Sequence, residues 1–414
     1  MPDAQEKTVD FDPQTIRKDF PILAHEVHGK PLVYLDNAAS AQKPVQVTGR
    51  MQRVFDLEYS NVHRGLHYLS NLSTEAFEGA RRTVQNFLNA ASDAQIIFTG
   101  GATDAINLVA HSYLEPRLKP GDEIILSEME HHSNIVPWHL LREQCGAVLK
   151  WVPVTDDGAL DMEAYAGLLG PRTKFVSLTQ MSNALGTVTD AKTIIDLAHA
   201  NNIPVLLDGC QGAVHLPTDV QALDVDFYVF SGHKVYGPGG IGVLYAKSKL
   251  LEVMRPYRGG GEMIREVSLD EVTYADPPHR FEAGTPPIVE AIGLGAALDY
   301  MMTIGWQSIC AHEKALAAHA MDVVGSINRV RIFGTAPDKG AIVSFMVDGI
   351  HPHDIAMVMD RSGVALRAGH HCAQPLMKRF DVAATARASF AVYNTHDEVE
   401  ALGVALTKAI GFFG

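Results

Sequence analysis

Cysteine is scarce in this chain. Its four thiols, Cys145, Cys210, Cys310 and Cys372, are spread over 414 residues. No two of them form a C-x-x-C pair, which argues against a thiolate zinc centre or a redox dithiol; no metal site and no disulfide are expected. Long apolar runs are missing as well, since no stretch approaches the ~18 uncharged residues that span a bilayer. Basic runs are also absent. Lys and Arg number 34 against 48 acidic residues, for a formal net charge of −14, so there is no basic stripe of the kind that tracks nucleic acid. The segment Met1–Lys7 is polar and acidic, without the charged and apolar regions of a secretory leader. A cytoplasmic protein is expected. No internal repeat or low-complexity tract is found.

Apolar material is plentiful, at 47% hydrophobic against 20% charged residues. That is enough for a large core, either as two or three domains or as one α/β unit with an appendage. Seven apolar runs read as strands: Ile96–Phe98, Glu123–Leu126, Val148–Val154, Lys174–Leu178, Val205–Leu207, Phe227–Phe230 and Ile241–Tyr245. Their unbroken Val/Ile/Leu/Phe content suits strands covered on both faces, as in a mostly parallel sheet. Between them, Asp104–Ala110 and Ala191–Ala200 carry apolar residues at helical spacing, and strand alternating with helix is an α/β pattern. Residues 250–290, with Gly259-Gly-Gly261, Pro277-Pro278 and Pro286-Pro287, read as a long loop region. A helix near Val289–Met301 follows. Ala341–Val347 then opens a smaller strand-helix-strand unit, with Cys372 after its later strand.

The chemistry concentrates at strand ends. Asp208 ends the apolar run Val205–Leu207, and Phe227–Phe230 runs into Ser231-Gly-His-Lys234. If the two strands are neighbours, Asp208 and Lys234 meet at the carboxyl edge of the sheet, where such sheets bind ligands. Pyridoxal phosphate needs this pair: a lysine for the Schiff base and a carboxylate to keep the ring nitrogen protonated. Taken singly, Asp208 could cap a helix and Lys234 could be a solvated surface lysine. The glycine-rich context Ser-Gly-His-Lys-x-x-Gly-Pro-x-Gly favours close approach of backbone to a ligand. Gly100-Gly-Ala-Thr103, before a helix, offers N–H groups and a dipole to an anion. His131, after Ile124–Leu126, could stack on a planar ring; His131 with His132 could instead bind metal, but no third ligand is evident. Cys372, within Arg367-Ala-Gly-His-His-Cys372, differs from the other thiols in its polar, histidine-flanked setting.

With these motifs and Tyr34-Leu-Asp-Asn-Ala-Ala-Ser40, Asn61-Val-His-Arg-Gly65, Glu130-His-His-Ser-Asn134, Asp208-Gly-Cys-Gln211, Arg258-Gly-Gly-Gly261, Phe281-Glu-Ala-Gly-Thr285 and Thr385-Ala-Arg-Ala-Ser389, the chain resembles the cysteine desulfurases of the class V aminotransferase superfamily, and within them the SUF-type group. The resemblance runs from near residue 20 to near residue 400. It implies an α/β fold of the fold-type I pyridoxal-phosphate-dependent transferases: a large domain over 31–295 around a mostly parallel seven-stranded sheet, a smaller α/β C-terminal domain over 296–414, and an N-terminal segment 1–30 packing with the latter. It also implies roles. Lys234 carries pyridoxal 5′-phosphate, Asp208 pairs with its ring nitrogen, His131 stacks on it and Gln211 bonds its phenolic oxygen. Thr103, Ser231 and His233 hold the phosphate, with Thr285 reaching in from the second subunit of a homodimer. Arg387, assisted by Asn183, takes the carboxylate of L-cysteine, and Arg367, His63 and Arg64 complete the substrate set. Pro287 stands where a polar residue is expected.

The implied reaction makes alanine. Lys234 removes the Cα proton, and Cys372 as thiolate takes the substrate sulfur as a persulfide. A thiol near pKa ~8.5 is mostly protonated at neutral pH, so Arg367, His370, His371 or the substrate must help deprotonate it. The short cysteine loop implies a separate sulfur-acceptor protein, of the SufE or SufU type, in iron–sulfur cluster assembly. A selenocysteine lyase, an epimerase or hydrolase of the same superfamily, and a non-catalytic scaffold are the competing expectations.

Overall fold

Each of the seven apolar runs is a strand, and all seven join one sheet. The computed structural model describes residues 11–414. Its strands are β1 (Ile96–Thr99), β2 (Glu123–Ser127), β3 (Val148–Val152), β4 (Thr173–Thr179), β5 (Val205–Asp208), β6 (Phe227–Ser231) and β7 (Gly242–Ala246). They lie in the order β1-β7-β6-β5-β4-β2-β3. From β6 through to β3 every pairing is parallel, and β7 is antiparallel to both its neighbours.

The unbroken apolar runs have a direct cause. Successive side chains point to opposite faces, and both faces are covered: Val205 and Leu207 join the core on one side, Leu206 the core on the other. Tyr228 and Phe230 against Phe227 and Val229 divide in the same way. The helix Ile288–Ile304 is apolar over most of its surface because it is buried against helices Tyr68–Leu88 and Val45–Arg53. Among the described residues no single helix is long and apolar enough to cross a membrane.

A second sheet of four antiparallel strands, β8 (Val330–Phe333), β9 (Ile342–Val347), β10 (Arg367–Gly369) and β11 (Thr385–Ser389), has the order β8-β9-β11-β10. Helices Trp306–Gly325, Pro352–Asp360 and His396–Phe413 contribute Leu316, Ile355 and Leu402 to its core. The last of these starts on a reciprocal cap between Thr395 and Glu398.

The chain's early residues are woven into this smaller unit. Val33–Tyr34 pairs in parallel with Val364–Ala365, and Asp36 bridges to Ser389. Val33 and Leu35 sit in the core of the small sheet, inside the range 31–295 expected for the large domain. Arg17 reaches Glu398 at 2.8 Å. Residues 1–10 of the expected N-terminal segment lie outside the described residues. The expected boundary at 295 falls inside the continuous helix Ile288–Ile304, and the chain changes direction by 80° only beyond it, at Gly305.

Two sequence expectations need correction. The loop region 250–290 contains a hairpin, Ile264–Val267 with Val272–Tyr274. Nearly every residue in it is exposed, so no buried face imposes an apolar alternation to read. The small unit also begins earlier than Ala341: β8 is a half-exposed edge strand of only four residues, too short to stand out.

Candidate active site

Between the two sheets lies a cleft of about 390 Å³, within the range of small-ligand sites. Eleven sequence-predicted residues line it: Thr103, His131, Asn183, Asp208, Gln211, Ser231, His233, Lys234, Arg367, Cys372 and Arg387.

The large sheet supplies one wall. β5 and β6 are parallel neighbours, with Asp208 in register with Val229, so Asp208 and the Ser231–Lys234 turn emerge at the same edge. Asp208 is only 4% exposed. One of its oxygens accepts the Cys210 N–H at 2.9 Å, and among the described residues no cation pairs with it. Gln211 donates to the Ala38 carbonyl at 2.9 Å. The Gly100-Gly101 turn crosses against β7 so closely that a Cβ on Gly242 would lie 2.5 Å from Gly101 Cα. Beyond the turn, helix Ala102–Leu108 begins with the Ala102 N–H donating to Ser231 Oγ at 2.9 Å. Thr103 Oγ1 and Ser133 Oγ meet at 2.7 Å. Burial first, and then the nearby Lys234 ammonium, pull His131 down to about 4. Burial likewise lowers His233 to about 4. Both rings are therefore neutral at pH 7.

The small domain supplies the facing wall. Cys372 follows β10 on a turn in which His371 and Cys372 both adopt left-handed backbone, φ 52° and 55°. Four hydrogen bonds hold that turn. The His132 N–H donates to the Cys372 carbonyl at 2.7 Å, and Asn183 Nδ2 to the His371 carbonyl at 2.8 Å. The Cys372 N–H donates to His370 Nδ1 at 3.0 Å, and His371 Nε2 pairs with Thr385 Oγ1 at 2.8 Å. Burial, reinforced by the Arg387 guanidinium, lowers His371 to about 3, so it too is neutral. Arg387 is 2% exposed, and burial lowers it to about 10. Asn183, expected on the substrate carboxylate, here grips the cysteine turn, and its carbonyl accepts from Arg387 Nη1 at 2.8 Å.

Three predicted residues are not brought to the cleft. Thr285 lines a separate cavity with Arg258 and Asp104. His63 pairs with Glu78 at 2.9 Å and Arg64 with Glu262 at 3.1 Å. His63, Glu78 and His279 have ligand atoms close enough to hold a cation. However, Arg81 already donates to Glu78 at 2.8 Å, and a guanidinium at that distance disfavours a second positive charge.

The sequence reading passed over four residues that the structure brings to or against the cleft. Ser133 and Cys210 line it, and Lys43 Nζ donates to the carbonyls of Ala41 and His233 beside it. Asp36 clamps both arginines. Ser133 and Asp36 lie inside the segments Glu130–Asn134 and Tyr34–Ser40; no local signal gives them a role, because their partners are distant in sequence.

The aminotransferase class-V family model matches residues 33–402, and the chain belongs to that family. Its relatives are more specific. It is 50% identical over 394 residues to a cysteine desulfurase of Dickeya dadantii, covering 95% of each chain. It is also 50% identical over 400 residues to a cysteine desulfurase of Synechococcus elongatus, covering 97% of this chain but only 64% of that longer protein. Among solved structures, the cysteine desulfurase CsdA of Escherichia coli, an S-sulfonic acid form, superimposes with a TM-score of 0.90 at 42% identity, over 98% of this chain and all of that one. The fold is that of the fold-type I transferases.

Pyridoxal 5′-phosphate is the cofactor of this family, and the residues present fit it. A buried carboxylate with no cationic partner among the described residues, Asp208, suits a protonated ring nitrogen. The hydroxyls of Thr103, Ser133 and Ser231 gather at a helix start, where a phosphate is favoured.

Proposed function

We propose that this chain is a pyridoxal-phosphate-dependent cysteine desulfurase, converting L-cysteine to L-alanine and carrying the sulfur away on Cys372. One observation carries the reading: a lysine beside an uncompensated buried carboxylate and a cysteine held by a strained turn face each other across a single cleft. The cofactor, when bound, supplies an electron sink for the substrate Cα. Lys234 Nζ would hold it and accept the Cα proton. The Asp208 carboxylate would keep its ring nitrogen protonated, and the neutral His131 ring would pack against it. Arg387 and Arg367 receive the substrate carboxylate end, in the forked geometry that guanidinium suits. Cys372 Sγ as thiolate attacks the substrate sulfur. The S–S bond forms as the C–S bond breaks; the electron pair stays with the carbon and is protonated. Cysteine plus enzyme thiol thus become alanine plus enzyme persulfide.

Thr285, His63 and Arg64 lie away from this cleft, and Leu66 and Tyr68, close to His63 and Arg64 in sequence, are exposed. Their placement supports a homodimer in which they serve the partner's cleft. The tightly fastened cysteine turn supports hand-over to a sulfur-acceptor protein of the SufE or SufU type, within a SUF-type pathway that supplies iron–sulfur clusters in the cytoplasm. The relatives above are described as cysteine desulfurases, which weighs against the selenocysteine lyase alternative. Alanine and sulfide formed from L-cysteine test the reading. Wild-type protein releases both, and Cys372→Ala keeps the cofactor absorbance but loses sulfide. Undiminished sulfide from Cys372→Ala would overturn the role of that thiol.

A further inference from the structure

The carbonyl that precedes Lys234 is gripped from outside its own turn. Within the turn, the Lys234 N–H donates to the Ser231 carbonyl at 3.3 Å, and the Val235 and Gly237 N–H groups donate to the Gly232 carbonyl. The His233 carbonyl instead accepts three donors from one short segment: the Ala41 N–H at 3.1 Å, Ser40 Oγ at 3.3 Å and Lys43 Nζ at 3.3 Å. A carbonyl has two lone pairs, so this one is over-supplied, and one of its donors is an amine. The segment is itself tied to the small unit. Asn37 Nδ2 donates to the Ser389 carbonyl at 2.6 Å, and the Gln42 N–H to Tyr393 Oη at 3.0 Å. On the other side of Lys234, the buried Tyr236 stands in left-handed backbone at φ 61°, and its Oη accepts the Val392 N–H at 3.4 Å. Lys234 thus sits between two anchors, each fastened to the small unit rather than to the sheet that carries it.

Lys43 is the unusual donor. Its amine is partly buried, and its acceptors are the carbonyls of Ala41 and His233 and the hydroxyl of Ser40. Among the described residues no carboxylate pairs with it, and burial alone lowers it to about 8. Holding an amine there costs free energy that a solvated lysine does not incur. We propose that Lys43 is a positioning residue for Lys234: it clamps the His233–Lys234 peptide and so fixes the stem from which Lys234 Nζ reaches the cofactor and the substrate Cα. The inference rests on the reading of Lys234 as the group that accepts the Cα proton. A reacting amine on a four-carbon stem needs a fixed origin, because small misplacements of a reacting group are costly in rate.

The test uses the cofactor-loaded full chain with L-alanine in deuterium oxide. Exchange of the alanine Cα hydrogen, followed by proton NMR, reports proton transfer at Lys234 without calling on Cys372. Lys43→Met keeps the bulk of the stem and removes the donors. Its maximal exchange rate per bound cofactor falls roughly tenfold, the scale of one hydrogen bond to a charged group, while the half-saturating alanine concentration stays put. Lys43→Arg, which keeps the charge and the donors, recovers most of the rate. A second readout needs no turnover: pyridoxal phosphate added to the cofactor-free chain joins Lys234, seen by absorbance, more slowly in Lys43→Met than in wild type or Lys43→Arg. Lys43→Gln decides the matter by the same readouts if Lys43→Met does not fold. A purely structural role lowers the urea midpoint and the cofactor content but leaves exchange per bound cofactor at the wild-type rate, and that result overturns the proposal. Alanine formation from L-cysteine by the wild type is scored separately: its absence sinks the desulfurase reading, whereas unaltered exchange in the Lys43 variants sinks only the role of Lys43.

Discussion

On the sheet-edge wall, Asp208 and Ser231 end strands in which every residue is buried. On the opposite wall, His371 and Cys372 stand one after the other in left-handed backbone at φ 52° and 55°. The first wall inherits its geometry from two covered faces of a sheet and needs no local strain. The second holds a conformation that costs roughly 1–2 kcal/mol per non-glycine residue, and such positions persist only when their surroundings over-determine them. Two of the four hydrogen bonds that do so come from the large domain, through His132 and Asn183. The placement of Cys372 is thus dictated in part by the wall that carries Asp208 and Lys234.

The contrast breaks hardest at the two reactive atoms. Lys234→Ala and Cys372→Ala each lower alanine formation by roughly 10³-fold or more, as removal of a reacting group does. Borohydride then fixes cofactor to the Cys372 variant and not to the Lys234 variant. Gly242→Ala attacks the sheet wall itself. Its new Cβ meets the Gly101 backbone, and overpacking of that kind costs on the order of 3 kcal/mol; the urea midpoint and cofactor retention fall together.

Acid attacks both walls, the sheet wall through His131 and His233 and the facing wall through His371. His371 is depressed to about 3 by burial and by Arg387, so between its unfolded value and about 3 the unfolded chain binds a proton that the folded chain refuses. The stability it contributes is present above pH ~6.5 and is lost as pH falls. From pH 7 to pH 5 the loss is on the order of 2 kcal/mol, read as a shift in the urea midpoint that His371→Asn reduces. The smallest effect is the most local. Asn183→Ala leaves the His371 carbonyl without its donor and costs about 1 kcal/mol, measured as a several-fold fall in kcat with unchanged cofactor absorbance.

The sheet was legible because burial on both faces leaves runs such as Val205–Leu207 with no polar residue to confuse the pattern. The exposed hairpin at 264–274 was not, since nothing hides either face. Asp208 and Lys234 were legible because each ends an apolar run, and a strand end is a local feature. The role of Asp36 was hidden: it depends on a pairing with Arg367 across 331 residues, which no window of sequence contains. Asn183 lines the cleft as expected, but the grip of its amide on the His371 carbonyl was hidden, a backbone partner that side-chain motifs do not record.

The early segment that pairs Val33 with Val364 and bridges Asp36 to Ser389 has a consequence for synthesis. A ribosome completes Lys234 and Asp208 long before it reaches Arg387. Until Ser389 has left the exit tunnel, Asp36 has nothing to bridge to, Arg367 lacks its cross-strand partner, and the arginine wall does not exist. A nascent chain can therefore fold its cofactor platform while remaining chemically silent toward free cysteine, and a product truncated before residue 385 stays silent for good.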